Sequence, residues 1–190
     1  MGINERKERE RAGREQRILS AAQMLAEQHG WASVTVRRLA QEIEYSQPVL
    51  YAHFENREAI VGAVALEGFG ELGPALRASV RRDATPAEAL QDVAAAYLEF
   101  AFERPALYEA MFVLPSGLRF AKSDTPQVLR DTFGAMMAVV EPFCADSEVA
   151  TEAFWAALHG LAELERHGRI RPAFRNERVR RLVAMFAMAN

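Results

Sequence analysis

Two short helical patterns stand only three residues apart. Val36-Arg37-Arg38-Leu39-Ala40-Gln41-Glu42-Ile43 is followed by Glu44-Tyr45-Ser46 and then by Gln47-Pro48-Val49-Leu50-Tyr51-Ala52-His53-Phe54. So short a connection obliges the helices to cross steeply, which is the helix-turn-helix arrangement. Leu39, Ala40, Ile43, Leu50 and Phe54 recur at three- and four-residue steps and are expected to meet inside the corner. Gln47, Pro48, Val49 and Tyr51 are left on or near the outer side of the second helix, where a recognition helix presents its first turn to base edges.

The helix ends carry residues with a physical reason to be there. Thr35 and Ser46 are N-cap candidates, each hydroxyl able to accept from an orphaned backbone N–H. Pro48 falls in a first turn, where a missing N–H costs nothing. Asn56 is placed to cap a further helix, with Glu58 at its positive end.

Thr35-Val36-Arg37-Arg38-Leu39-Ala40, Ser46, and Leu50-Tyr51-Ala52-His53-Phe54-Glu55-Asn56-Arg57-Glu58-Ala59-Ile60 together resemble the DNA-binding signature of the tetracycline-repressor (TetR) family of bacterial regulators. The match extends back through Ile18-Leu19 and Ala21-Ala22 and covers roughly residues 14 to 62. Pro105-Ala106-Leu107-Tyr108 with Met111-Phe112, and Trp155 with Leu158-His159-Gly160, are similar to features of some members' ligand domains. The family usually turns between its two helices with a small residue, a glycine and a valine, where this chain has Ile43, Glu44 and Tyr45. Either the turn differs, or Glu44 takes a left-handed conformation at about 1 kcal/mol.

The resemblance implies an all-α fold, an N-terminal three-helix DNA-binding domain followed by a C-terminal helical ligand-binding and dimerisation domain. Residues 1–13 are polar and highly charged and are expected to form a flexible arm, with Arg6, Lys7, Arg9, Arg11 and Arg14 available to DNA. Their alternation with Glu5, Glu8, Glu10 and Glu15 equally fits a solvated tail. Residues 14–60 form the expected reading head and 61–190 the effector-binding and dimerisation domain. A helix is predicted from about Arg14 to His29, with Ile18, Leu19, Ala22 and Leu25 on one face and Gly30 as its stop. Trp31 and Val34 are expected to close the small core.

Beyond Arg57 a helical pattern runs to about Arg81, and Pro74 is expected to bend or break it. Thr85-Pro86-Ala87-Glu88 reads as a capping box opening a helix to about Glu103. Pro105 to Phe112 is a short helix. Thr125-Pro126 repeats the cap-and-proline signature for a helix ending near Pro142. Ser147 to about His167 and Asn176 onward complete the set. No alternating pattern, internal repeat or low-complexity tract is present.

The formal charge of −3 is unusual for a nucleic-acid binder. Nine basic and nine acidic residues balance through Ile60. Binding must then come from where the charges sit, because phosphate contacts act locally through counterion release. No apolar run suggests a membrane span, the N-terminus lacks a signal region, and the single Cys144 fits a reducing compartment. A cytoplasmic protein without membrane contact is expected.

Gln47 is the expected base reader, since its amide both donates and accepts in the major groove. Pro48 and Val49 can touch a thymine methyl. Thr35, Arg37, Arg38, Tyr51, His53 and Arg57 are assigned to phosphate, and Ser46 completes the DNA-binding set. Phe100, Tyr108, Met111, Phe112, Phe133, Met137, Trp155 and His159 are the candidate effector pocket, largely apolar. His159, Glu163 and His167 recur every four residues, but the histidines lie two turns, or roughly 12 Å, apart. One ion cannot bridge that distance, so no metal site is assigned, nor any cofactor.

No nucleophile with a partnered base and no phosphate loop is seen, so no enzyme activity is expected. Partners are expected to be double-stranded DNA carrying a palindromic operator, a small-molecule effector, and a second copy bound through the last two helices. The reading is a ligand-released repressor. Its rivals are a protein-interaction adaptor that keeps the fold without specific DNA binding, and a helical small-molecule enzyme.

Overall fold

The computed structural model describes residues 2–188. Among them the chain forms nine α-helices and no strand: α1 (Ile3–His29), α2 (Val36–Glu42), α3 (Gln47–His53), α4 (Arg57–Ser79), α5 (Pro86–Glu103), α6 (Pro105–Phe112), α7 (Gln127–Val140), α8 (Ser147–Arg166) and α9 (Arg175–Ala187). The all-α fold is the one that the periodicity predicts. Single 3-10 turns lie at Trp31–Ser33, Glu141–Phe143 and Pro172–Phe174.

Several boundaries follow from the chemistry of single residues. Thr85 and Glu88 exchange side-chain and backbone bonds in a capping box at the start of α5. Gly30 ends α1 at φ 74°, a backbone region open to glycine. Other boundaries depart from the sequence pattern. The segment read as a flexible arm is helical from Ile3, its exposed turns carrying Glu5 against the Gly2 N–H, an Arg6–Glu10 pair and an Arg11–Glu15 pair. Such pairs each add only a few tenths of a kcal/mol, but they extend an existing helix rather than nucleate one. Pro74 does not break α4, which continues as one helix to Ser79. Thr125 does not cap α7. Its buried hydroxyl accepts from the Lys122 N–H at 3.0 Å, and the helix begins two residues later.

Two compact units are interleaved along the chain. One comprises the residues up to Gly68 together with Pro105–Leu118, the other Phe69–Arg104 with the residues from Arg119 onward. The division therefore does not fall at a single point after Ile60. α4 supplies its first half to one unit and its second half to the other, and α6 belongs with the N-terminal helices.

In the first unit, Ile18, Leu19, Ala22 and Leu25 pack with Trp31, Val34, Leu39, Leu50, Ile60 and Val64, all buried. Burying each of the larger side chains contributes roughly 1.5–3 kcal/mol before chain entropy is counted. The Trp31 indole N–H donates to the Ala106 carbonyl at 2.7 Å and so fixes α6 to this core. Gln16 and Gln23 on α1 each donate to one oxygen of Glu67 on α4, at 3.0 and 3.1 Å. By length and composition, α4 reaches what a membrane span needs, at mean hydropathy 1.3, contrary to the sequence expectation, but 56% of that window is buried within the protein. It is a core helix.

In the second unit α5 packs against α7, α8 and α9. Leu90, Val93, Ala94, Tyr97 and Leu98 form its buried face. The Trp155 indole donates to the Tyr97 hydroxyl at 3.1 Å, and Phe154 meets Phe186 edge-on at 5.2 Å. Thr132 donates to the Phe69 carbonyl at 3.0 Å beside Gly73, where a Cβ would lie 2.8 Å from the threonine oxygen.

Gly62 makes the tightest approach in the first unit, because a Cβ there would run into the Ser116 carbonyl oxygen, which is backbone and cannot swing aside. Gly62→Ala should lower stability by about 1–3 kcal/mol. Thermal and urea unfolding of the full chain will measure this, with Gly134→Ala, which meets nothing, as the control.

Candidate nucleic-acid interface

The corner is built from its ends inward. Thr35 caps α2, its hydroxyl accepting from the Arg38 N–H at 3.2 Å. At the other end Glu44 stands at φ 55°, the left-handed conformation. The Tyr45 N–H reaches the Ala40 carbonyl at 2.9 Å and the Glu44 N–H the Gln41 carbonyl at 3.4 Å. That pair of bonds is the Schellman motif, which glycine usually serves. Of the two alternatives for the turn, Glu44 takes the strain. Arg17 of α1 lies over the Tyr45 ring at 5.5 Å and holds the turn from behind. Leu39, Ala40 and Leu50 are fully enclosed in the corner, while Ile43 and Phe54 are half-buried at its edge.

α3 opens differently from the expectation. Ser46 occupies the N-cap position with extended backbone, but its hydroxyl makes no cap bond. Pro48 removes the N–H at the second position of the helix, and the hydroxyl does not take the one that remains at the third. The Val49 N–H goes to the Ser46 carbonyl at 3.0 Å instead. Gln47 and Pro48 are exposed, Val49 is half-buried and Tyr51 is 53% exposed. Thr35, Arg37 and Ser46 are exposed around them and Arg38 is half-buried.

Two residues expected on phosphate are turned into the protein. His53 has a side chain only 6% exposed, with Nδ1 3.2 Å from Glu15 on α1. Arg57 donates from Nε to the Val34 carbonyl at 2.9 Å and from Nη2 to the Trp31 carbonyl at 2.7 Å. The sequence pattern treats both as surface charges because neither the Glu15 carboxylate that meets His53 nor the carbonyls of the Trp31–Val34 turn that meet Arg57 are near them along the chain. Asn56 behaves as expected, accepting from the Ala59 N–H at 2.9 Å. The sequence pattern does not mark Glu15 as a support of α3. It lies 38 residues from its partner, and no local signal announces it. The hydrogen bond to His53, and then that to Arg11, hold the Glu15 carboxyl below the usual carboxylate range.

The residues grouped as an effector pocket do not share one unit. Tyr108, Met111 and Phe112 lie in the first, Tyr108 against Phe112 at 4.8 Å and Met111 against Gly68. Phe100, Phe133, Met137, Trp155 and His159 lie in the second, where Trp155 stacks on Phe120 at 6.4 Å. Partial burial pushes the His159 imidazole below its ordinary value, which nearby Glu163 only partly offsets. Within the second unit a groove of about 770 Å³ opens elsewhere, between Arg77, Pro86, Ala89, Arg130, Ala138 and Pro142. None of the eight expected residues lines it, since it sits at the α4, α5 and α7 surface rather than among the aromatic side chains.

Two short helices packed across a tight turn, the second exposing its first turn, have the form of a helix-turn-helix, the class of element that reads duplex DNA. Comparison with known proteins agrees and goes further. Residues 18–64 match the family described as bacterial regulatory proteins, tetR family, and residues 90–186 match the tetracyclin repressor-like, C-terminal domain. The HTH-type transcriptional regulator Rv0681 of Mycobacterium tuberculosis is 31% identical over 160 residues, covering 80% of this chain and 69% of that protein. Among solved structures, a protein from Rhodococcus sp. RHA1 aligns at a TM-score of 0.72 with 24% identity, covering 91% of this chain and 92% of that one. The transcriptional regulator FadR from Bacillus subtilis, in complex with stearoyl-CoA, aligns at 0.67 with 13% identity, covering 92% and 98%. The chain belongs to the TetR family and is a DNA-binding transcriptional regulator.

Arg57→Ala should cost about 1–3 kcal/mol of head stability, since it leaves the Val34 carbonyl without this donor and the Trp31 carbonyl with the Val34 N–H alone. Urea unfolding followed by Trp31 fluorescence, with Trp155→Phe as background, will report it. Glu15 gives a pH test. A carboxyl held below its unfolded value contributes stability above about 4.5 and loses it as pH falls through the lowered folded value. Unfolding midpoints should fall with acidification in that window, and Glu15→Gln should flatten the decline.

Proposed function

We propose that the protein is a ligand-released repressor, paired with a second copy through α8 and α9 and seated on a palindromic operator. The observation that carries this reading is the exposed first turn of α3. Gln47 is the base reader, Pro48 and Val49 contact thymine methyl groups, and Thr35, Arg37, Arg38, Ser46 and Tyr51 fix the phosphates. The Ser46 hydroxyl is released for that purpose by the missing cap bond. His53 and Arg57 support the reading head from within.

α8 and α9 support the pairing because they leave Val149, Leu164 and Met185 exposed, at 59, 45 and 69%. A two-fold dimer sets two recognition helices about one turn of DNA or a multiple apart, which matches a palindrome. The effector is a largely apolar small molecule bound in the second unit, a class supported by the acyl ligand held by the Bacillus subtilis relative. It acts by preferring the conformation that does not fit the operator, and a coupling of roughly 1–3 kcal/mol suffices for release. The protein works in the cytoplasm by binding alone, without enzyme chemistry.

Selection of bound fragments from random duplex DNA tests the reading, followed by a screen for small molecules that release them. Recovered fragments should share an inverted repeat. Gln47→Ala should lower affinity for that repeat by about 1–3 kcal/mol while leaving random DNA unchanged. Equal loss on both would remove Gln47 from base reading.

A further inference from the structure

The groove in the second unit is laid along one face of α7. Arg130, Gly134 and Ala138 follow one another there at four-residue steps, and Pro142 continues the row just past the end of the helix. The walls are Arg77 and Val80 from the end of α4 and Pro86 and Ala89 from the start of α5. All of these residues belong to the second unit. The floor lies open at Gly134, where an added Cβ would meet no atom within 4 Å. At about 770 Å³ the groove has the volume of a small-molecule site.

Charge is confined to one end of it. Arg77 donates from Nη1 to the Asp131 carbonyl at 3.2 Å, which brings its guanidinium to the same turn of α7 as Arg130. Arg130 donates from Nε and Nη2 to the Gln127 side-chain oxygen at 3.2 and 2.7 Å, and from Nη1 to the Thr125 carbonyl. Every one of these acceptors is neutral, so the bonds orient both cations without cancelling them. Neither guanidinium forms an ion pair among the described residues. The one acid at this end, Asp131, accepts from the Gln127 amide at 2.6 Å. Two guanidiniums against one carboxylate leave a single positive charge in excess. From Gly134 to Pro142 the lining is apolar.

These two halves select an amphiphile with one negative head. A carboxylate matches a guanidinium in both charge and fork geometry. Each guanidinium has five N–H donors, of which Arg77 uses one and Arg130 three, so both retain donors for a ligand. A doubly charged phosphate would set its second charge against Asp131, and an alkylammonium would face two like charges. An alkyl chain on the carboxylate gains from each methylene that leaves water for the apolar lining. The row from Arg130 to Val139 runs roughly 13 Å at 1.5 Å per residue, the reach of a medium-length chain. We infer that this groove binds an alkyl monocarboxylate, its head on Arg77 and Arg130 and its chain over Gly134 toward Pro142. The inference rests on the proposed reading that the second unit holds a small-molecule effector, and it gives that effector a class and a place apart from the aromatic interior.

Calorimetric titration of the full chain with octanoate tests this, with octanol and octylammonium as head-group controls. R77Q/R130Q should weaken octanoate binding by at least about tenfold, and R77K/R130K should recover part of the loss. Octanol should bind weakly, and equally to the unaltered chain and to R77Q/R130Q. Gly134→Phe fills the floor without altering either arginine and should abolish octanoate binding. Unfolding curves and light scattering accompany each variant. Undiminished binding in folded R77Q/R130Q and G134F overturns the groove and leaves the effector reading standing with its site elsewhere. Equal affinity for all three head groups overturns the carboxylate, and absence of binding to the unaltered chain at millimolar octanoate overturns the inference outright. Retardation of the selected operator fragment separates the two readings. Release by octanoate that is lost in both variants supports the inference. Octanoate bound through these residues with the operator still occupied overturns its role as effector. Octanoate bound in this way by a chain that selects no operator supports the groove and defeats the proposed repressor.

Discussion

The short turn from Trp31 to Val34 is the constraint on which the reading head depends. A single 3-10 turn satisfies few of its own backbone groups, and a carbonyl left bare in a core costs on the order of 1–3 kcal/mol. Here Arg57 supplies the donors from α4, and the indole of Trp31 extends the connection to α6 through the Ala106 carbonyl. Three helices distant in sequence are thereby fixed around one turn. The corner of α2 and α3 rests on that assembly and gains its outward face from it.

Much of this was legible in the sequence because it is local. Helix periodicity, the Thr35 and Thr85 caps, and the stop at Gly30 each depend on neighbours within a turn or two of chain. What escaped was either long-range or a choice between two local solutions. Ser46 is a favourable cap residue by composition, yet Pro48 lacks one donor and the Val49 N–H goes to the Ser46 carbonyl, so the hydroxyl makes no cap bond. Of the bend or break that Pro74 offers, the break does not occur, and α4 runs on with an exposed proline. His53 and Arg57 look like surface cations, and only the tertiary structure shows the carboxylate and carbonyls awaiting them. The aromatic residues of 100–159 read as one chamber because nothing in the sequence says that α6 packs with the N-terminal helices.

Charge follows a different logic from packing. The N-terminal extension of α1 carries its arginines beside glutamates of the same helix, so the pairs cancel at close range even though they are exposed. Between α8 and α9 the single nearly buried Glu165 organises two arginines and leaves others without a neighbouring acid. Net charge therefore says little about which arginines are paired. The arrangement of acids decides it.

Glu44 has a consequence for how this protein can change over generations. An acidic, unbranched side chain occupies a left-handed backbone position at the negative end of α2, a place where both the backbone and the helix dipole favour other residues. Replacement by glycine or asparagine relieves the first conflict, and replacement by lysine the second. A threshold of marginal stability rewards such easing whenever another mutation has weakened the fold. Position 44 is thus a natural compensator, and a library selected for thermotolerance should enrich it early.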